Sequence, residues 1–257
     1  MKKLLALALA AVMALGCGAA LADTLIQGID PEYNPFSYMG PDGEYTGFDI
    51  EIAKAACEVA GLDYEVFPVN WDTKEVQLDA HECDVIWSGM TIKQAMIDNG
   101  YVISAPYYDS TQVLVVKADS GINSSADLAG KIVAVQLGTS GEDLLNGELA
   151  DLTATFQELV TTENFLTAFT NLEGNAVDAV FVDMPVAEKY LSEHEGLTIL
   201  PEELGKEQYG MLFRAEDQEL CDRIEAAVQT LVENGTYAEI AAKYPKIVDN
   251  LLFLKAE

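Results

Sequence analysis

The sequence predicts a two-lobed α/β protein whose chain passes between the lobes twice. Three observations carry that expectation. Short apolar runs alternate with segments of helical period from residue 24 to residue 88, and the same alternation recurs from residue 132 to residue 182. Two extended segments, Thr111 to Lys117 and Gln208 to Phe213, lie between and after these sets. A further periodic stretch from Gln218 onward is left over to pack back on the first set. Strands alternating with helices call for parallel strands joined by crossover helices.

The elements follow in order. Thr24 to Gly28 reads as a first strand, and Phe48 to Ala60 places apolar residues at helical spacing before Gly61, a favoured C-cap residue. Tyr64 to Pro68 is a second strand, Lys74 to Leu78 a short helix and Val85 to Ser88 a third strand. The second set opens with a strand over Ile132 to Gln136 and a turn, Gly138-Thr139-Ser140-Gly141, with a helix over Ser140 to Leu145. A helix over Phe165 to Leu172 and a strand over Ala179 to Val182 complete it. The expected units are a leader over residues 1–22, one lobe of residues 23–111 with 212–257, and a second lobe of residues 112–211. A cleft between such lobes gathers strand ends and helix N-termini around a small ligand.

Composition narrows the function. The 257 residues are half apolar, enough for a sizeable core. Fourteen basic against 43 acidic residues leave a net charge of -29, which repels phosphate backbones and anionic headgroups and so excludes nucleic acid as a partner. Lys2 and Lys3 precede an apolar run from Leu4 to Leu15, the pattern of a signal peptide and too short to span a bilayer comfortably. Two exits are open: cleavage after Ala20-Leu21-Ala22, or lipid attachment at Cys17 in Ala14-Leu15-Gly16-Cys17. Either places the mature chain outside the cytoplasm, in a periplasm or extracellular.

Cys57, Cys83 and Cys221 remain in the mature chain. Cys57 falls late in a helix and Cys83 just before a strand, the same end of a βαβ unit, so a bridge between them is open beside the alternative of buried thiols. No CxxC or paired Cys/His spacing occurs, and His81 and His194 stand alone in polar turns, so neither a metal nor a cofactor is expected. No GxSxG elbow, P-loop or dinucleotide fingerprint is present.

Six motifs in order carry a resemblance: Gly47-Phe48-Asp49-Ile50, Asp84 through Ile92 (DVIWSGMTI), Ser104-Ala105-Pro106-Tyr107-Tyr108, Asp127-Leu128-Ala129-Gly130-Lys131, Val135 through Ser140 (VQLGTS) and Glu233-Asn234-Gly235-Thr236-Tyr237. Nearly the whole mature chain resembles the polar amino acid-binding receptors of ABC importers, the bacterial extracellular solute-binding proteins of family 3. The resemblance implies a type II periplasmic-binding-protein-like fold, with two mixed sheets, flanking helices and a hinge of two crossing segments. It implies a monomer that captures an amino acid or amino-acid-like small amine and presents it to a membrane permease. Related folds include a dehydratase acting on cyclohexadienyl acids and noncatalytic sensor modules, so an exported enzyme or sensor is the alternative.

A zwitterionic ligand needs donors for its carboxylate, a carboxylate for its ammonium and an apolar wall that excludes water. By motif position Asp183 matches the family's ammonium-binding acid, Tyr33 and Trp71 the aromatic walls, and Ser88, Gly89 and Thr91 the backbone and hydroxyl contacts. Gln136, Gly138, Thr139 and Ser140 match a loop at a helix N-terminus, and Asp30 an acid facing the ligand's distal end. Asp183 before Met184-Pro185 also fits an N-cap, which explains the residue type without a ligand.

One position departs from the family pattern. Where an Arg grips the ligand's α-carboxylate, this chain has Met96. Losing such a charge-assisted pair costs about 2–5 kcal/mol of binding. Three explanations stand: Lys93 substitutes for the Arg, the ligand has no free α-carboxylate, or the carboxylate moves to the Gly138 to Gly141 loop. The expectation is that free α-amino acids bind weakly.

Overall fold

The computed structural model describes residues 23–255; the leader and Cys17 lie outside them. The first set comprises β1 (Thr24–Ile29), α1 (Phe48–Ala60), β5 (Asp63–Pro68), α2 (Lys74–Asp79) and β6 (Val85–Thr91). Between β1 and α1 a small antiparallel flap is made of β2 (Glu32–Tyr33), β3 (Ser37–Met39) and β4 (Tyr45–Thr46). After β6 come α3 (Gln94–Asp98), β7 (Val102–Ile103) and the long β8 (Tyr108–Lys117).

The second set comprises β9 (Ile132–Gln136), α4 (Ser140–Asn146), α5 (Ala150–Thr153), β10 (Glu158–Thr162), α6 (Phe165–Glu173), β11 (Ala179–Asp183) and α7 (Met184–Leu191). It is followed by β12 (Leu197–Ile199) and the second long strand, β13 (Gly205–Phe213). The chain ends in α8 (Gln218–Asn234), α9 (Thr236–Ala241) and two short 3-10 turns.

Within each set the strands are parallel: β5, β1 and β6 in one, and β10, β9 and β11 in the other. The long strands join them. β8 runs antiparallel to β11, and β13 pairs its first half, Gly205 to Tyr209, with β8. Its second half, Tyr209 to Leu212, pairs with β6 across a register irregularity between Gly210 and Leu212. The backbone ladder is therefore continuous in the order β10-β9-β11-β8-β13-β6-β1-β5. Both long strands feed residues to the place where the two sets meet.

Burial explains the elements. On α1, Phe48, Ile52, Ala53, Ala56 and Cys57 are buried at helical spacing, and Gly61 closes the helix at φ 69°, donating to Cys57 and Glu58 carbonyls. On α8 the buried residues are Cys221, Ile224, Ala227, Val228 and Leu231; α8 packs against α1. All five residues of β11 are buried between β8 and β9, and Ala179 to Val182 read as an apolar run with no polar alternation before Asp183.

The candidate bridge is not made. Cys57 and Cys83 are buried free thiols, as is Cys221. Cys57 belongs to the core that contains Phe48 and Ile224, whereas Cys83 packs with Val69, Leu78 and Ile86 in a separate cluster. Sharing one end of a βαβ unit does not put two residues in one packing layer. Burial pushes both thiols up to about 12, which leaves them protonated and unreactive. Among the described residues no helix is long and apolar enough to cross a membrane.

Candidate functional site

Where β6 ends against α4, a narrow cavity of about 10 Å³ is lined from both sets of elements. Of the residues singled out in the sequence, Tyr33, Trp71, Gly89, Thr91, Met96, Gly138, Thr139, Ser140 and Asp183 line it. Asp30, Ser88 and Gln136 lie behind it as a buried network. Gln136 Nε2 donates to Asp30 Oδ2 at 2.6 Å, and the Glu32 amide donates to Asp30 Oδ1 at 2.9 Å. The Asp30 amide donates to Ser88 Oγ at 3.0 Å. Asp30 thus ties β1 to β9, and burial raises its carboxyl while the Gln136 contact opposes that rise.

Asp183 ends β11 and begins α7, yet its side chain makes no capping bond to the helix. It turns instead toward the long strands: Gln112 Nε2 donates to Oδ1 at 2.8 Å and the Tyr209 hydroxyl at 3.0 Å. A second acid, Glu207 on β13, stands beside it. Glu207 accepts from Gln112 Nε2 at 2.9 Å, Thr91 Oγ1 at 2.7 Å and Ser140 Oγ at 2.7 Å. Burial first, and then the neighbouring Glu207 charge, push the Asp183 carboxyl well above the usual carboxylate range. Two carboxylates converging on one buried spot form a strong receptor for a cation.

The aromatic wall is fixed by close packing. Tyr33 packs on Phe36, Phe165 and Tyr209 with ring centroids 5.7, 6.0 and 6.3 Å away, and its hydroxyl lies 2.7 Å from that of Tyr209. Gly89 faces the ring at φ 55°, where a Cβ would come within 2.1 Å of Tyr33 Cε1. Gly89→Ala is therefore expected to displace Tyr33, lowering stability by about 2–3 kcal/mol and ligand affinity by at least roughly tenfold. Urea unfolding and titration calorimetry measure the two effects.

Gly138, at φ 74°, is the matching close approach from the other side: a Cβ there would lie 2.5 Å from Asp72 Cα. Its amide donates to Glu142 Oε2 at 2.7 Å, and Thr139 Oγ1 accepts from the Glu142 amide at 3.2 Å, so the loop before α4 is already matched by an acid of its own first turn. Lys93 is likewise engaged, its Nζ 2.6 Å from Asp143 Oδ2 on α4.

Four residues outside the sequence-based set shape the site: Lys74, Gln112, Glu207 and Tyr209. Lys74 lines the cavity and is 3% exposed. Its Nζ donates to the Trp71 and Gly138 carbonyls at 3.0 Å each and sits 4.9 Å from the Trp71 ring centroid. Burial pulls its pKa below the usual lysine value. A polar residue at a helix start or near a strand end carries no local sign that an opposing element will cover it.

Residues 25–246 match the family model of the bacterial extracellular solute-binding proteins, family 3. The chain belongs to that family. It is 29% identical over 224 residues to the L-cystine-binding protein TcyJ of Escherichia coli strain K12, covering 86% of this chain and 82% of that one. Among solved structures, an ABC uptake transporter substrate binding protein from Streptococcus pneumoniae with bound histidine superposes with a TM-score of 0.82 at 28% identity, over 86% and 92% of the two chains. An ancestral arginine-binding protein bound to arginine gives 0.79 at 33% identity, over 87% and 99%. These neighbours share the two-lobed type II periplasmic binding fold, and members of the family are extracellular or periplasmic solute-binding proteins.

Proposed function

We propose that this chain is the exported capture component of an ABC importer for an amino acid or amino-acid-like small amine. The observation that carries the reading is Asp183: a buried carboxylate at a helix start that leaves the helix uncapped, lines the cavity with Tyr33 and Trp71, and shares the Gln112 amide with Glu207. In that role the leader over residues 1–22 directs export. The lobes of residues 23–111 with 212–257 and of residues 112–211 close about β8 and β13 on the ligand, and the closed monomer docks on a membrane permease. The ligand's ammonium lies against Asp183 and Glu207, and its body against the two aromatic rings. The relatives' ligands, cystine, arginine and histidine, all carry such an ammonium. No step of bond making or breaking belongs to this reading.

A thermal-shift screen of residues 23–257 with the standard L-amino acids and L-cystine tests it. At least one ammonium-bearing compound is expected to raise the melting temperature by several degrees and to bind with micromolar or tighter affinity. A screen in which none does so overturns the proposal.

A further inference from the structure

The cavity carries its own answer to the methionine at position 96. Two cations are among its described lining residues, and they differ in how they are matched. Lys93 is partly exposed and has a carboxylate partner, Asp143, at 2.6 Å. Lys74 is buried, and the nearest carboxylate oxygen, Glu75 Oε1, is 3.4 Å away on a partly exposed side chain. Its two short bonds, to the Trp71 and Gly138 carbonyls, are to neutral acceptors. A buried ammonium whose one close counter-charge, Glu75, sits on a partly exposed side chain remains costly, and an incoming anion adds to what offsets that cost. Two other donors of the cavity wall are already engaged, the Gly138 amide by Glu142 and the Gly89 amide by Asp49.

We propose that Lys74 is the cleft's carboxylate anchor, its ammonium seated on Trp71 taking the α-carboxylate of a ligand whose ammonium lies against Asp183. The inference rests on the capture function above and sharpens its ligand class. Met96 and Lys74 line one cavity, so a cation at 74 serves where position 96 offers none. The weak binding of free α-amino acids expected from Met96 alone then reverses, because the cavity has a buried cation, Lys74, and a buried acid, Asp183, among its lining residues. Trp71 beneath the ammonium holds it by cation–π attraction, which a flexible, solvated lysine would not have. A lysine offers a point charge rather than a planar fork, so it recognises the carboxylate without fixing the plane of its oxygens.

Titration calorimetry with three matched pairs tests this: L-arginine with agmatine, L-histidine with histamine, and L-cystine with cystamine. In the wild type at least one amino acid is expected to bind about thirtyfold or more tightly than its decarboxylated partner. Lys74→Met should reduce that preference to about threefold or less while the amine's affinity changes little, and Lys74→Arg should retain most of it. The double variant Lys74→Met/Met96→Arg, which returns a cation to the same cavity, should restore the preference, a rescue that a merely structural lysine would not show. Melting curves establish that each variant folds. An amine that binds as tightly as its amino acid in the wild type, or a preference unchanged in Lys74→Met, overturns the Lys74 assignment and leaves the ammonium site standing. Failure of all six compounds to bind overturns the capture function and this inference together.

Discussion

Asp183→Asn is expected to melt higher than the wild type and to bind its ligand roughly thirty to a thousand times more weakly. The two effects have one origin. Asp183 is 4% exposed, its carboxyl raised by burial and by the Glu207 charge beside it. A carboxyl raised in the folded state contributes stability that is fully present below its unfolded pKa of 3.8 and is lost as pH rises through the folded value. At neutral pH the acid pair therefore opposes folding. Asparagine keeps an oxygen for the Gln112 and Tyr209 donors at 2.8 and 3.0 Å while removing the charge, so the fold gains. The ligand's ammonium loses one of its two counter-charges in a buried place, a loss of about 2–4 kcal/mol. Differential scanning calorimetry of the free proteins and titration of the ligand separate the two signs. A variant that melts lower and binds as well as the wild type would show that Asp183 holds the fold rather than the ligand.

That opposition also accounts for what was legible in the sequence. Local pattern placed the apolar elements well: Phe48–Ala60 and Ile132–Gln136 have the same bounds in the structure as in the sequence reading, because helical spacing and apolar runs are properties of neighbouring residues. The long strands exceed what the sequence pattern indicates. Thr111 to Lys117 extends back to Tyr108, and Gln208 to Phe213 begins at Gly205, since polar residues such as Asp109 and Glu207 interrupt the apolar run and pairing from across the cleft completes the ladder. The same reason hid Gln112, Glu207 and Lys74. Each owes its surroundings to elements far along the chain, and none differs locally from a solvated residue. Asp183 had two readings at one position, a cap and a ligand contact; its side chain makes no capping bond. The Cys57–Cys83 bridge failed for a three-dimensional reason as well, because spacing along the chain gives an end of the unit and not a packing layer.

A second acid beneath the cavity gives the molecule a pH dependence that the ligand does not enter. Asp49 is fully buried in the first turn of α1, where Oδ2 accepts from the Gly89 amide and the Tyr107 hydroxyl, each at 2.7 Å. Oδ1 has no partner, and the buried hydroxyl of Tyr237 is also unpartnered. Burial raises the Asp49 carboxyl to about 7, the hydrogen bonds it accepts being too few to offset desolvation. Below pH 3.8 the group is protonated in both states and its contribution is fully present. Between 3.8 and about 7 the unfolded chain releases a proton that the folded one keeps, so stability falls by about 1.4 kcal/mol per pH unit. Above about 7 the contribution is level.

The measurable quantity is the difference between the wild type and Asp49→Asn, in which the remaining acids cancel. From pH 5 to pH 8 the wild type should lose about 2–3 kcal/mol of unfolding free energy relative to the variant, read from urea denaturation at each pH. A difference that stays constant across that range would mean that Asp49 is ionised throughout. Because the Gly89 amide that Asp49 holds belongs to the cavity wall facing Tyr33, ionisation strengthens the grip on that wall as it weakens the fold. Ligand affinity should therefore not fall in parallel with stability between pH 5 and pH 8.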